Sequence, residues 1–106
     1  MVNQYEVYWV ELNPTRGGEM AKTRPCVVVS PADLNLYLKT VVIAPVTSTL
    51  RGYPYRVRCR IEGREGEIAA DQVRTVDKSR LRGSLGKLDK ATVEQLRRVF
   101  REMLCE

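Results

Sequence analysis

Arg56, Arg58 and Arg60 alternate with Tyr55, Val57, Cys59 and Ile61. On a β-strand this spacing sends three guanidinium groups to one face and apolar side chains to the other. A guanidinium fork matches the oxygens of a phosphate, so the stripe suits either a nucleic-acid backbone or plain solvent. If it tracks phosphates, binding falls steeply with salt. Tyr53 and Tyr55 beside it can stack on unpaired bases or pack into the core. The chain holds no histidine, which removes imidazole from both acid–base catalysis and metal ligation. Any hydrolytic chemistry must then use Arg, Lys, Asp, Glu, Ser, Thr or Tyr. Cys26, Cys59 and Cys105 are odd in number and far apart, without the paired spacing of a zinc site or a disulfide framework. A reducing cytoplasm suits them.

The elements that must position these groups fit a chain of 106 residues, read as one domain over residues 1–106. A hydrophobic share of 43% supports a modest core and argues against wholesale disorder. The longest apolar stretch, Val41 to Val46, is strand-sized and far below the roughly 18 to 20 residues of a membrane span. Asn3, Gln4 and Glu6 stand where a signal peptide would place basic and then apolar residues, so the expected location is the cytoplasm. The net charge is +5. Residues 89–106 hold four basic and four acidic residues, so the whole excess lies in residues 1–88. A positive field there attracts a polyanion, although the same charge also serves solubility.

Tyr5 to Leu12 is aromatic and β-branched, a first strand. Asn13-Pro14-Thr15-Arg16-Gly17-Gly18 breaks it into a loop that is expected to run on through Lys22-Thr23-Arg24. Pro25 to Ser30 forms a second strand with proline at its first position, and Ser30-Pro31-Ala32-Asp33 opens a short helical turn. Thr40 to Val46 reads as a strand buried on both faces. A polar loop follows, ending near Gly52-Tyr53-Pro54, and then the arginine stripe. Gly63-Arg64-Glu65-Gly66 is read as a hairpin turn with Glu67 to Ala70 as the returning strand. Val73 to Val76 and Leu85 to Leu88 are short strands, with a helical turn at Asp77-Lys78-Ser79-Arg80 between them. Asp89 caps a last helix whose apolar face is Val93, Leu96, Val99, Phe100, Met103 and Leu104. Trp9 and Phe100 are assigned to the core. The expected class is mainly β with a C-terminal helix, in a small curved antiparallel sheet or barrel.

Four segments, in order, resemble the MazF/PemK toxin family: Tyr8 to Glu19 (YWVELNPTRGGE), Thr23 to Pro31 (TRPCVVVSP), Val42 to Ser48 (VIAPVTS) and Ala70 to Asp77 (ADQVRTVD). Gly52-Tyr53-Pro54 also looks like the family's turn after the third segment. The resemblance implies an SH3-like barrel of the CcdB/PemK type, a homodimer, and cleavage of single-stranded RNA at short motifs. It implies no metal or other cofactor, and products ending in a 2′,3′-cyclic phosphate and a 5′-hydroxyl. A small and usually acidic antitoxin is the implied protein partner, and no membrane is involved. The family's catalytic arginine falls on Arg24 and its catalytic threonine on Thr47. Glu19, Asp71 and Gln72 fall where members carry active-site or RNA-contacting residues. Arg16, Lys22, Ser48, Thr49, Tyr53, Arg56 and Arg58 complete the expected RNA contacts. Some relatives carry a histidine where this chain has Gly18, and some an arginine where it has Ala69.

Cleavage by the RNA's own 2′-hydroxyl needs a base, stabilisation of a dianionic phosphorane, and an acid for the departing 5′-oxygen. Arg24 is assigned to stabilisation, because a pKa above about 12 makes it a poor base at neutral pH. Thr47 can donate a hydrogen bond to a non-bridging oxygen, or simply bond nearby backbone as strand-end hydroxyls often do. Glu19 is the candidate base. Asp71 is either a turn former or the ion-pair partner that orients Arg24. Two other classes compete: a CcdB-like gyrase-binding toxin on the same barrel, and an RNA-binding barrel without catalysis.

Overall fold

The computed structural model describes residues 1–106. Its strands are β1 (Glu6–Glu11), β2 (Thr23–Val28), β3 (Thr40–Thr47), β4 (Arg56–Ile61), β5 (Arg64–Ala69), β6 (Arg74–Asp77) and β7 (Leu81–Lys87). Helix α1 (Ala32–Tyr37) lies between β2 and β3, and α2 (Lys90–Leu104) ends the chain. All pairings are antiparallel, in the spatial order β4-β5-β3-β2-β1-β7, with β6 also paired to β3. The result is the expected mainly-β class with a C-terminal helix, in a curled half-barrel. No helix is long and apolar enough to cross a membrane.

The apolar run of β3 makes it the sheet's hub. Thr40 to Ile43 pair with β6, Ile43 to Pro45 with β2, and Val46 and Thr47 with β5. Its alternate side chains feed two cores, as a strand buried on both faces must. Ala44 and Val46 join Val7, Val27, Val57, Ile68 and Leu96 of α2 on one side. Val41 and Ile43 join Val10, Leu12, Cys26 and Val28 on the other. Helix α2 holds its place through the period-3.6 stripe: Leu96 is fully buried, and Val99, Phe100 and Met103 pack partly against the same core. Its carboxylate cap is Asp89, which accepts from the Thr92 amide at 3.4 Å and from the Thr92 hydroxyl. Leu104, by contrast, is 67% exposed beyond the last covered turn.

Several expected boundaries shift for local reasons. Thr23 and Arg24 belong to β2, because Glu11 and Val10 of β1 pair with them and extend the ladder past Pro25. The hairpin turn is Glu62-Gly63, not Gly63 to Gly66: both residues have positive φ, 51° and 76°, as the two-residue turn that fits strand twist requires. Arg64 to Gly66 therefore lie in β5. Tyr55 precedes β4 with φ 63°. Strand β6 begins at Arg74, and β7 starts at Leu81, earlier than the sequence suggested, along β1.

Burial holds two thiols neutral. Cys26 is pushed up to about 12, with the nearby charges of Arg24 and Arg74 pulling the other way. Cys59 is pushed up to about 11 by burial, aided by Asp89 and Glu67. Cys105 alone is exposed. Since the thiolate is the reactive form, a thiol reagent at neutral pH should label Cys105 in the folded protein and all three cysteines after denaturation. Fast labelling of Cys26 or Cys59 before unfolding would contradict this packing.

Candidate active site

The ladder between β2 and β3 ends at Cys26 and Pro45. Beyond that point β2 stays with β1, through Pro25, Arg24 and Thr23, while β3 turns away to pair with β5 at Val46 and Thr47. The sheet splits there, and the opening is a cleft of about 500 Å³. Trp9, Arg24 and Pro25 form one wall, and Val46, Thr47 and Ser48 the other, with the β4–β5 tip from Ile61 to Gly66 as its rim.

Arg24 is half-buried at this split. Its Nε donates to the Ala21 carbonyl at 2.9 Å, which fixes the guanidinium plane and leaves the terminal nitrogens free. The protein's ion pairs all lie elsewhere, so its charge is uncompensated. Thr47 is buried, and its Oγ1 accepts from the Thr49 amide at 3.1 Å. That bond occupies a lone pair and leaves the hydroxyl proton available to a ligand. Gly66 lets the two strands meet this closely: a Cβ built on it would lie 2.9 Å from the Thr47 carbonyl oxygen and 3.0 Å from Val46 Cγ1.

Glu19, Asp71 and Gln72 line a second depression of about 470 Å³, with Gly18, Pro45 and Arg74. Pro45 and Thr47 point to the same side of β3 by strand alternation, so the two depressions adjoin through that strand. The loop carrying Glu19 is held by Gln72, whose side chain accepts from the Met20 amide at 3.1 Å and donates to the Gly18 carbonyl at 3.3 Å. The Glu19 carboxylate accepts from the Arg16 amide at 2.6 Å. Arg16 and Lys22 are exposed on this loop.

Asp71 does not orient Arg24. It takes a two-point grip from Arg56, at 2.7 Å to Nε and 3.1 Å to Nη2. Nor is Arg56 presented to solvent like its neighbours: its side chain is only 8% exposed, with Nη1 3.9 Å from Glu67 Oε1. The Tyr53 ring lies 5.4 Å from its guanidinium carbon and 5.7 Å from that of Arg51, a cation–π arrangement. Arg58 and Arg60 remain exposed and share Glu65. Ser48, Thr49 and Tyr53 are exposed on the loop after β3, and Tyr55 sits at its end. That loop is anchored by Glu67, whose Oε2 accepts from the Gly52 amide at 2.8 Å.

Glu67 is fully buried and its Oε1 has no hydrogen-bond partner. Burial raises its carboxyl pKa, but the amides of Gly52 and Arg51 and the charges of Arg56 and Arg58 outweigh it and hold the group below the usual glutamate value. Sequence reading overlooked Glu67 because strand alternation places it on the outward face with Glu65; only the folded-over loop buries it. Trp9 was assigned to the core, yet it is 39% exposed in the cleft. No grouping of three or more His, Cys, Asp or Glu side chains is arranged to hold a metal ion.

The family model for PemK-like, MazF-like toxins of type II toxin–antitoxin systems matches residues 3–104. The chain belongs to this family. The endoribonuclease toxin MazF of Escherichia coli K12 is 36% identical over 81 residues, spanning 72% of this chain and 73% of that protein. The crystal structure of MazF from Deinococcus radiodurans superposes with a TM-score of 0.88 at 28% identity, covering 99% of this chain and 97% of that one. A MazE–MazF structure from the same organism matches at 0.79 and 25% identity, with the same coverage. In this PemK/MazF-like chain, Arg24 and Thr47 stand at a split between strands.

Proposed function

We propose that the chain is the toxin of a type II toxin–antitoxin pair, an endoribonuclease that cuts single-stranded RNA, mRNA included, and so halts translation and growth. The observation that carries this reading is Arg24: a tethered guanidinium without a carboxylate partner, beside the free hydroxyl proton of Thr47. An unpaired cation in a cleft is a site for an anion. A toxin that only gripped a protein target would need no such pair.

In the proposed reaction the 2′-oxygen attacks the adjacent phosphorus, a base takes its proton, and the bond to the 5′-oxygen breaks as that oxygen gains a proton. The products are a 2′,3′-cyclic phosphate and a 5′-hydroxyl. Arg24 and Thr47 meet the charge that builds on the non-bridging oxygens. Glu19 reaches the 2′-hydroxyl from its loop when RNA spans both depressions. Asp71 acts through Arg56, and Gln72 through the loop it bridges; Ser48, Thr49, Tyr53, Arg58, Arg16 and Lys22 are the RNA contacts around them. No step requires a metal. The protein works in the cytoplasm as a homodimer, and a small acidic antitoxin, drawn by the basic surface, blocks the RNA path.

Incubation with a long unstructured RNA in excess EDTA tests the reading. Discrete cuts with cyclic-phosphate and 5′-hydroxyl ends are expected. RNA left intact over many sequences would overturn the enzyme, and cleavage abolished by EDTA would overturn the metal-free route.

A further inference from the structure

Trp9 is the large side chain of the cleft that this chemistry leaves unused. Alternation sets it on the same face of β1 as Val7, which is buried, whereas the indole is 39% exposed. Its cross-strand neighbours leave it open: Pro25 on β2, and Gly83 on β7, which has no side chain. Large aromatics gain most from burial, so an indole left bare inside a cleft is a platform awaiting a flat partner. The facing rim carries Glu62 and Arg64. Both are exposed, and neither enters an ion pair, unlike Glu65, which Arg58 and Arg60 hold at 3.4 and 3.5 Å.

We infer that this cleft is a base-recognition subsite that takes an unpaired guanine stacked on Trp9. The inference rests on the ribonuclease reading and adds to it a base preference. Guanine offers N1–H and the N2 amino group to the Glu62 carboxylate, and O6 and N7 to the Arg64 guanidinium, the commonest specific arginine–base pairing. Adenine and cytosine bring one amino group each with no ring N–H beside it, so neither can donate twice to the carboxylate; uracil brings no amino group. The cleft volume of about 500 Å³ lies within the range of small-ligand sites. Arg24 and Thr47, which line the same cleft, then receive the phosphate beside that base.

Trp9 is the only tryptophan in the chain, so fluorescence excited selectively at tryptophan, clear of the tyrosines, reports on this cleft alone. The probes are uridine pentanucleotides carrying G, A, C or U at the centre, with 2′-O-methyl groups that block cleavage. The G probe should quench Trp9 at about tenfold lower concentration than the U probe, within the range of a good base contact. Glu62→Gln should erase that preference. In cleavage of long RNA, Trp9→Leu should raise KM about tenfold, as loss of one stacking contact implies, and Trp9→Phe should restore most of it. Equal quenching by all four probes, or none by any, overturns the subsite. So does a Trp9 signal that follows protein concentration without RNA, which would give the cleft to a second copy of the chain. Normal cleavage with silent Trp9 removes the subsite and leaves the ribonuclease; uncut RNA removes the ribonuclease reading itself.

Discussion

Replacing Arg24 with alanine is expected to lower RNA cleavage by about 10³-fold or more while leaving the fold nearly as stable. One donor aimed at a developing oxyanion contributes about 10² to 10³ in rate, and Arg24 brings two free terminal nitrogens together with a full charge. Because no carboxylate faces it, alanine orphans no buried partner. The Ala21 carbonyl loses one bond, so the change in unfolding free energy should stay within about 1 kcal/mol. Arg24→Lys keeps the charge and loses the fork, and should still fall about 10²-fold, since a point charge does not replace two-point contact. Single-turnover cleavage beside thermal unfolding checks both halves. Full activity in Arg24→Ala would remove the arginine from the chemistry; a large loss of stability would make its role structural.

The second large effect concerns Arg56 and Glu67, and it is a loss of folding stability that depends on pH. Removing one partner of a buried ion pair costs about 3–5 kcal/mol because a charge stays buried without its counter-ion. Glu67 keeps its bond from Gly52, and the 3.9 Å separation is long for an ion pair, so Arg56→Leu should cost nearer about 2–3 kcal/mol at neutral pH. In the wild type the Glu67 pKa is lowered. Its contribution is therefore present above the unfolded-state value, about 4.3 for glutamate, and is lost as pH falls through the lower folded value. In Arg56→Leu one of the charges that offset burial is gone, so the Glu67 pKa should rise relative to the wild type. The variant's deficit is then largest at neutral pH and shrinks as acid protonates Glu67. A further Glu67→Leu change should recover only part of the stability: no charge then stays buried, but the Gly52 amide loses its acceptor. Urea unfolding at pH 4 and pH 7 decides the point; a deficit independent of pH would place the effect on lost packing by the arginine stem.

The parts of this fold that could be read in the sequence are those governed by local rules. The alternation from Val57 to Ile61 gave β4, and the 3.6-residue period gave α2 with Asp89 as its cap. What was not legible depends on cover supplied from far along the chain. Trp9 and Val7 share a face, and nothing near Trp9 announces that Gly83 and Pro25 will stand beside it. Glu67 reads as one more outward carboxylate until the loop through Gly52 closes over it. Asp71 reads as a turn former or the partner of Arg24 for the same reason, and only the turn after β5 brings Arg56 to it. Arg24 and Thr47, placed by resemblance, do meet at one cleft. The split that creates it follows from β3 changing partners after Pro45, which no short segment encodes.

Gly66 carries a consequence of a different kind. It offers no acid, no charge and no hydroxyl, yet the path of the backbone past Thr47 depends on its having nothing to offer. A methyl group there would push on a peptide carbonyl that cannot swing aside as a side-chain tip can. The accuracy of the proposed site is thus partly specified by a blank. An inventory of the toxin's reactive groups would pass over the position, although Gly66→Ala is expected to weaken cleavage without removing one of them.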